Sequence, residues 1–528
     1  MALTLPLPVP RWAISPPVRA AERVRVTPSR GIITEYGLKL AVIVASACVA
    51  IFLDASTSYE SSTALPYIAG AVAATPDQAS WIVTLFSAAY DTSILLSTWF
   101  LARFGRRRYF VGSLIGFGVC SFACALSTEY HAFLVFRLLQ GFALGSFFSC
   151  GVLSLFMTIP NHLRLLGIML FSMASQMGGA LGPAVAGYLV YNDAWQWVFV
   201  LSGIPALVLA VGIHYTLRDP VEPERVPFDW IGAALIAVTF LALNYLVNEG
   251  ERRNWTEDPW VVLALLITPL SGAAIAVWKL KFSPHPFLDF RVLRHRNLVI
   301  GAVFGAGFGV VLQVATLIGG FVEPALDFTP TLGGGLDALR AVAIAVVVPI
   351  ATFAMAEKWL GIRTALIAGL LVTFAGFHLE VTATTAGSDF SSFVVPFAVI
   401  GAGIALLYRA LATLIFGVLP PEDLIMGLLV YKMSGVLGGA LAAPIFVTLL
   451  DHRVAAHLSD LAGSMTLHEP AVRSFMASAP GGAKALASMA SLQANTLAYS
   501  DLWAVASIIA LAMIPVVFTI DLGAKSQG

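Results

Sequence analysis

Apolar runs of about twenty residues recur along this chain from Lys39 to Asp521. A helix of that length rises 1.5 Å per residue and crosses a hydrocarbon core of roughly 30 Å. Nothing else in the sequence narrows the fold as far. Inside a bilayer every backbone N–H and C=O must be satisfied within the structure, which leaves only helices and closed barrels. A barrel would show alternating segments of about ten residues, and these are absent. Composition agrees: 58% of the 528 residues are hydrophobic and 11% charged, against about 25% charged in a soluble domain. The expected fold class is an all-α polytopic membrane protein.

Fourteen spans are expected, at 40–64, 80–101, 108–126, 132–157, 164–190, 196–215, 229–247, 259–279, 298–321, 334–356, 361–380, 391–416, 424–450 and 502–520. Basic residues orient them. With the N-terminus inside, cytoplasmic segments hold 21 of the 30 Lys and Arg, outer loops hold five, and four lie within spans. Both ends are therefore expected in the cytoplasm. Setting spans seven and eight aside leaves six, two and six, and repeated halves around a central site are a transporter plan. The expected organisation is a disordered cytoplasmic tail at 1–39, a six-helix bundle at 40–215, two linker helices with their loops at 216–297, a second bundle at 298–520, and a short cytoplasmic tail at 521–528. Residues 1–38 hold six prolines and five arginines without an apolar stretch, so they do not read as a secretory signal. The outer segment 451–500, rich in Ala, Ser and Leu, reads as short amphipathic helices outside or on the membrane.

Several function classes drop out. A net charge of zero implies no nucleic-acid partner. Cys48, Cys120, Cys124 and Cys150 all fall in apolar spans and read as small buried hydrophobes. His452, His457 and His468 lack tight metal-ligand spacing and read as solvated surface. No P-loop, nucleophile elbow or metal motif is found, so no cofactor, metal or enzymatic reaction is expected.

Charges inside the spans carry the chemistry. Asp54 and Glu60 fall in span one and Asp91 in span two, where a carboxylate costs roughly 2.5–3.5 kcal/mol by insertion scales. Each faces water, meets a buried cation, carries a proton, or serves as a structural hydrogen-bonding group. Residues 56–63 are consecutively polar, so the outer half of span one faces protein or water. Arg137, in the outer part of span four, is the expected partner of an N-half carboxylate. Arg409 and Lys432 have no acid in their own spans. They either answer the N-half carboxylates across a cavity or bind an anionic substrate group. Asp337 and Arg340, three apart, are expected to pair locally. Tyr59, Phe86, Tyr90 and Trp99 are candidate cavity aromatics, with packing or lipid contact as the alternative. Glycines four apart, at Gly112/Gly116, Gly141/Gly145, Gly178/Gly182, Gly301/Gly305/Gly309 and Gly435/Gly439, let helices approach closely.

Four stretches resemble a known family. Ala64-Leu65-Pro66-Tyr67-Ile68-Ala69-Gly70 with Asp77-Gln78-Ala79-Ser80-Trp81 joins spans one and two. Leu101-Ala102-Arg103-Phe104-Gly105-Arg106-Arg107 follows span two, and Arg137-Leu138-Leu139-Gln140-Gly141 lies in span four. Gly178-Gly179-Ala180-Leu181-Gly182-Pro183-Ala184-Val185-Ala186-Gly187 lies in span five. Together they resemble the major facilitator superfamily, specifically its fourteen-span drug:proton antiporters of the EmrB/QacA type, over about residues 40–450. The resemblance implies two six-helix halves plus two linker helices, with Arg103, Gly105, Arg106 and Arg107 as the cytoplasmic loop motif. It implies Gly178, Gly182, Pro183 and Gly187 as the antiporter motif, and Arg137 tied to proton transfer. Ala102 stands where the family carries an aspartate, and Thr57 stands nine residues before Pro66 where the family keeps another. The proton role is thus expected on Asp54, one turn inward, or Glu60, one turn outward, with Asp91 as a further proton or substrate carboxylate. The resemblance further implies export of a small amphipathic substrate against protons across the cytoplasmic membrane. In a cell with two membranes it implies a periplasmic adaptor and an outer-membrane channel as partners. The alternatives are an exporter of lipids, fatty acids or a secondary metabolite, and a receptor or scaffold that moves nothing.

Overall fold

A computed structural model describes residues 30–218, 227–281, 290–418, 424–466, 468–478 and 481–520. Of the tail expected at 1–39, residues 1–29 lie outside the described residues, as does 521–528, while residues 30–39 correct the expectation of disorder by forming the first turns of the first helix. The chain is helical: α1 (Arg30–Ala71), α2 (Pro76–Phe104), α3 (Arg106–Leu126), α4 (Tyr130–Thr158), α5 (Arg164–Tyr191), α6 (Gln196–Thr216), α7 (Trp230–Glu249), α8 (Pro259–Lys281), α9 (Arg296–Thr316), α10 (Gly319–Leu326), α11 (Pro330–Ala356), α12 (Ile362–Ala383), α13 (Phe390–Val418), α14 (Leu424–Ser464), α15 (Pro470–Ser478), α16 (Gly482–Ala512) and α17 (Ile514–Val517). Among the described residues, fourteen helical segments are long and apolar enough to cross a membrane.

The order of packing repeats. In the first half α1 packs on α5, α2 on α4 and α3 on α6; in the second, α9 packs on α14, α11 on α13 and α12 on α16. The same three pairings in two sets of six helices make the halves structural repeats. Helices α7 and α8 stand outside both sets, pack on each other, and α7 lies against α2 and α14. Glycines make the closest approaches possible. A Cβ at Gly178 would sit 2.4 Å from the Phe52 carbonyl oxygen, one at Gly141 2.4 Å from that of Phe86, and one at Gly309 2.1 Å from that of Gly435. Gly112 does not follow the expectation: a Cβ there meets open space, and one at Gly116 meets only Ala143 at 3.8 Å. Spacing of four marks a face, but not whether another helix lies against it.

Helix ends carry their own signals. Thr75 opens α2 with a capping box to Gln78, and Thr329 caps α11 ahead of Pro330. Gly105, at φ 78°, makes the abrupt turn between α2 and α3. Asp229 caps α7 through Gly232 N–H and pairs with Lys279 of α8 at 2.6 Å.

The outer segment 451–500 corrects the expectation of separate short helices. Helix α14 runs unbroken to Ser464 and α16 begins at Gly482, leaving only α15 as a short piece between them. At 41 residues, α14 measures about 60 Å, roughly twice the hydrocarbon core. Hydropathy ends where the apolar residues end, but Ala and Leu keep winding the helix beyond that point. Span nine also differs: α9 stops at Thr316 and α10 follows as a separate turn.

Candidate functional site

The two halves enclose a central cavity of about 280 Å³. Its wall mixes aromatic rings, small residues and a few charges, the pattern of a site for a partly apolar ligand. Tyr59, Phe86 and Tyr90 line it from the first half, and Phe308, Tyr408 and Tyr431 from the second. Three charged residues line it: Asp91, Arg340 and Lys432.

Asp54 stands just behind this wall, 1% exposed. Its Oδ1 accepts from Tyr90 Oη at 2.8 Å and its Oδ2 from Lys432 Nζ at 2.8 Å. The ammonium also lies over the Phe148 ring at 4.8 Å. Asp54 is on α1 and Lys432 on α14, so this ion pair joins the two halves beside the cavity. One half of the open question about Lys432 and Arg409 is thereby answered. Lys432 meets an N-half carboxylate, and Arg409 does not.

Arg409 is completely buried in the second half and absent from the cavity wall. Its Nε donates to Thr352 Oγ1 at 2.7 Å, Nη1 donates to Thr413 Oγ1, and Nη2 has no partner among the described residues. Its expected place in the substrate cavity is therefore corrected. The hydroxyls of Thr352 and Thr413 hold it inside the α11–α13 packing.

Arg137 is corrected in a different way. It forms no ion pair among the described residues. Nη2 donates to Ser61 Oγ at 2.8 Å, Nη1 donates to Gln140 Oε1 at 2.5 Å, and the guanidinium lies 3.9 Å from the centre of the Phe86 ring. Neutral acceptors and an aromatic face solvate this cation directly, and Glu60 is the first-half carboxylate whose charge reaches it without a direct ion pair. Glu60 is buried beside Ser61 on α1 and is not part of the cavity wall. Asp337 and Arg340 pair at 2.8 Å, as their spacing suggested. Trp99 lies away from the cavity, its ring 4.6 Å from Phe228 and its indole N–H on Pro227 O.

The two glycine motifs occupy contact points. A Cβ at Gly182 would lie 2.7 Å from Ser56 O on α1, and one at Gly187 2.3 Å from Pro330 O on α11. Span five therefore touches both halves, with Pro183 between these two contacts. In the loop motif Arg106 Nη2 donates to Arg218 O at 3.4 Å, Arg107 Nη2 lies 3.5 Å from His214 Nε2, and Arg103 stands 5.7 Å from the Phe104 ring. The first two contacts tie the loop to the end of α6.

Two buried polar groups escaped the sequence reading. Asn244 of α7 donates to Asp91 Oδ2 at 3.0 Å and lines the cavity. The pair Asn244 and Asn248, one turn apart in span seven, was the available signal. Glu380 of α12 is 1% exposed, and neither of its carboxyl oxygens has a partner among the described residues. Its signal was a lone acid in an apolar stretch.

Known proteins share this plan. The chain is 24% identical to the multidrug export protein EmrB of Escherichia coli K12 over 436 residues, 82% of this chain and 85% of that protein. It is 26% identical to the fatty acid resistance protein FarB of Neisseria gonorrhoeae over 447 residues, covering 82% and 86%. In fold it is similar to the POT family transporter PepTSo, with a TM-score of 0.56 at 13% identity, covering 92% of this chain and 99% of that one. The proton:xylose symporter XylE gives a TM-score of 0.53, also at 13% identity, covering 91% and 96%. The sequence model of the Major Facilitator Superfamily matches residues 45–443, from the first membrane helix to the fourteenth helix described above, and the chain belongs to that superfamily.

Proposed function

We propose that this chain exports amphipathic compounds across the cytoplasmic membrane in exchange for protons, by rocking one six-helix half against the other. The observation that carries the reading is the Asp54–Lys432 ion pair, which spans the two halves beside the cavity. A proton delivered to Asp54 cancels its charge and dissolves the pair, so the proton state of one group changes what holds the halves together. Asp91 offers a second carboxylate inside the cavity for a proton or a cationic substrate group. The aromatic wall suits an apolar substrate body. The names of the relatives, multidrug export, fatty acid resistance and colistin resistance, support amphipathic cargo. The surplus of basic residues on the cytoplasmic side of the spans supports both termini inside. Where a second membrane exists, a periplasmic adaptor and an outer-membrane channel would complete the route, with the outer ends of α14 and α16 as the contact.

A second reading concerns charge. Lys432 and Arg340 line the cavity with Asp91, and at rest they pair with Asp54 and Asp337 respectively. A proton on Asp54 frees the Lys432 ammonium, which would then favour the carboxylate of an anionic amphiphile such as a fatty acid. Competition between cationic dyes and fatty acids for one transport signal separates the two.

The central test uses purified protein in proteoliposomes with an imposed pH gradient. Addition of an amphiphile should release protons, and Asp54→Asn should abolish the release. Glu60→Gln and Asp91→Asn apportion the remaining roles. Unchanged gradient dependence in all three variants would sink the mechanism.

A further inference from the structure

Asn244 is the one residue of the described cavity wall that belongs to neither six-helix half. It sits on α7, and its amide is 8% exposed. Nδ2 donates to Asp91 Oδ2 and to the backbone oxygen of Phe240 one turn back, both at 3.0 Å. The backbone bond fixes the amide on its own helix, so the second N–H is aimed rather than free to rotate. Asp91 Oδ1 accepts no hydrogen bond among the described residues and is left for whatever enters the cavity.

The rest of α7 is held in a way that suits aim. The Tyr245 ring lies 5.4 Å from Trp81 of α2. Asn248 donates to Asn244 O at 2.8 Å. Beyond its outer end, Arg252 pairs with Asp77 and donates to Pro76 O at 2.8 Å, while Glu251 accepts from Thr448 of α14. The helix is thus referenced to both halves at once.

We propose that Asn244 is a positioning residue. It holds the Asp91 carboxylate with one oxygen engaged and the other presented to the cavity, which makes linker helix α7 a working part of the transport site. This rests on the reading of Asp91 as a proton or substrate carboxylate. The other titratable groups that face Asp91 are Lys432 from α14 and Tyr90 beside it on α2, and neither gives its Oδ2 a hydrogen bond.

The test needs no substrate and no gradient. Dicyclohexylcarbodiimide reacts in apolar surroundings with the protonated form of a carboxyl group, which a donor holding the carboxylate keeps scarce, and its N-acylurea adduct at Asp91 is counted by mass spectrometry of the α2 peptide of the full-length protein. Asn244→Leu should raise the rate at Asp91 by about tenfold to a hundredfold, the scale set by losing a hydrogen bond to a charged group. Asp54 in the same sample should not change, Asn248→Ala should leave Asp91 at the parent rate, and Asn244→Gln should recover most of the protection. If Asn244→Leu does not fold, Asn244→Ser carries the same expectation. An unchanged Asp91 rate, an equal rise at Asp54, or the same rise in Asn248→Ala overturns the proposal. Failure of proton exchange in proteoliposomes is a separate result, because it bears on coupling and leaves the labelling outcome unaltered.

Discussion

Asp54 and Lys432 are 378 residues apart in sequence and 2.8 Å apart in space. Removing the acid alone leaves an ammonium without its anion in a partly buried site, so Asp54→Asn should destabilise the folded protein. Full burial would put the cost at about 3–5 kcal/mol, and the partial exposure of Lys432 brings it to about 1–3. The double variant Asp54→Asn/Lys432→Met should recover most of that loss in thermal unfolding in detergent, while still failing to couple to protons. Equal losses in single and double variants would mean the pair is incidental. A glycine contrast belongs to the same scale. Gly309→Ala meets backbone at 2.1 Å and cannot be relieved by a rotamer, whereas Gly112→Ala meets nothing. The first should cost about 1–3 kcal/mol and the second should be neutral or slightly stabilising, read as melting temperatures of the two variants. The sequence made the costly residues legible, because charge in a span is conspicuous. It made the local Asp337–Arg340 pair legible by spacing, but left Lys432 between two alternatives, an N-half carboxylate or an anionic substrate group as its partner. Arg137 lies in the same half as Asp54 and Glu60 and was the first candidate, but Lys432 reaches Asp54 because the second half packs against the first, and hydropathy alone could not choose between its two alternatives.

The linker helices are held at both ends by different chemistry. At the inner end Asp229 caps α7 and meets Lys279. Burial pushes its carboxyl up, but the Lys279 ammonium, the Gly232 N–H and the Trp278 indole outweigh burial and hold it below the ordinary carboxylate range. A depressed acid contributes stability that is present above its unfolded pKa, about 4, and lost only as pH falls through the lower folded value. Asp229→Asn should therefore lower the melting temperature at neutral pH without moving the pH dependence of transport between pH 6 and 8. A shifted profile would place the proton chemistry at the wrong end of the helix. At the outer end the turn after α7 reaches both halves, through Arg252 to Asp77 and through Glu251 and Trp255 to Thr448. If this clasp must open during transport, a short thiol cross-linker between Glu251→Cys and Thr448→Cys should stop transport, and a cleavable linker should restore it on reduction. Undiminished transport by the cross-linked protein would show that the clasp never opens. The existence of these helices was plain from hydropathy. Their attachments were not, because the attaching residues lie in polar turns that hydropathy scores as gaps. The outer ends of α14 and α16 were missed for the same reason.

Across the whole molecule, besides the Asp54–Lys432 pair and the Tyr408–Ser175 hydrogen bond beside the cavity, the halves touch at two further levels. Near the outer face Gly187 meets Pro330 and Gly334 meets Ala184, backbone against backbone. Near the inner face Phe156 stacks on Phe416 at 4.6 Å and Arg164 donates to the Phe416 carbonyl. The cavity lies between these levels, so a rocking transporter should open one while keeping the other. Gly187 gives a direct way to bias that choice. A side chain there has nowhere to go except against the Pro330 carbonyl, 2.3 Å from where its Cβ would stand, and the strain is relieved by parting the outer contact. With an overpacking cost of about 1–3 kcal/mol set against the outer-closed arrangement, Gly187→Leu should raise the outward-open population by about fivefold to a hundredfold where that state is the minor one. The measurement is the rate at which a membrane-impermeant thiol reagent added outside labels a cysteine placed in the cavity wall at Ser175→Cys. Gly187→Leu should speed labelling from outside, and Phe156→Ala, which loosens the inner contact, should slow it. If both variants label at the parent rate, the two contacts are not the alternating gates, and the cavity must open by some motion other than rocking about them.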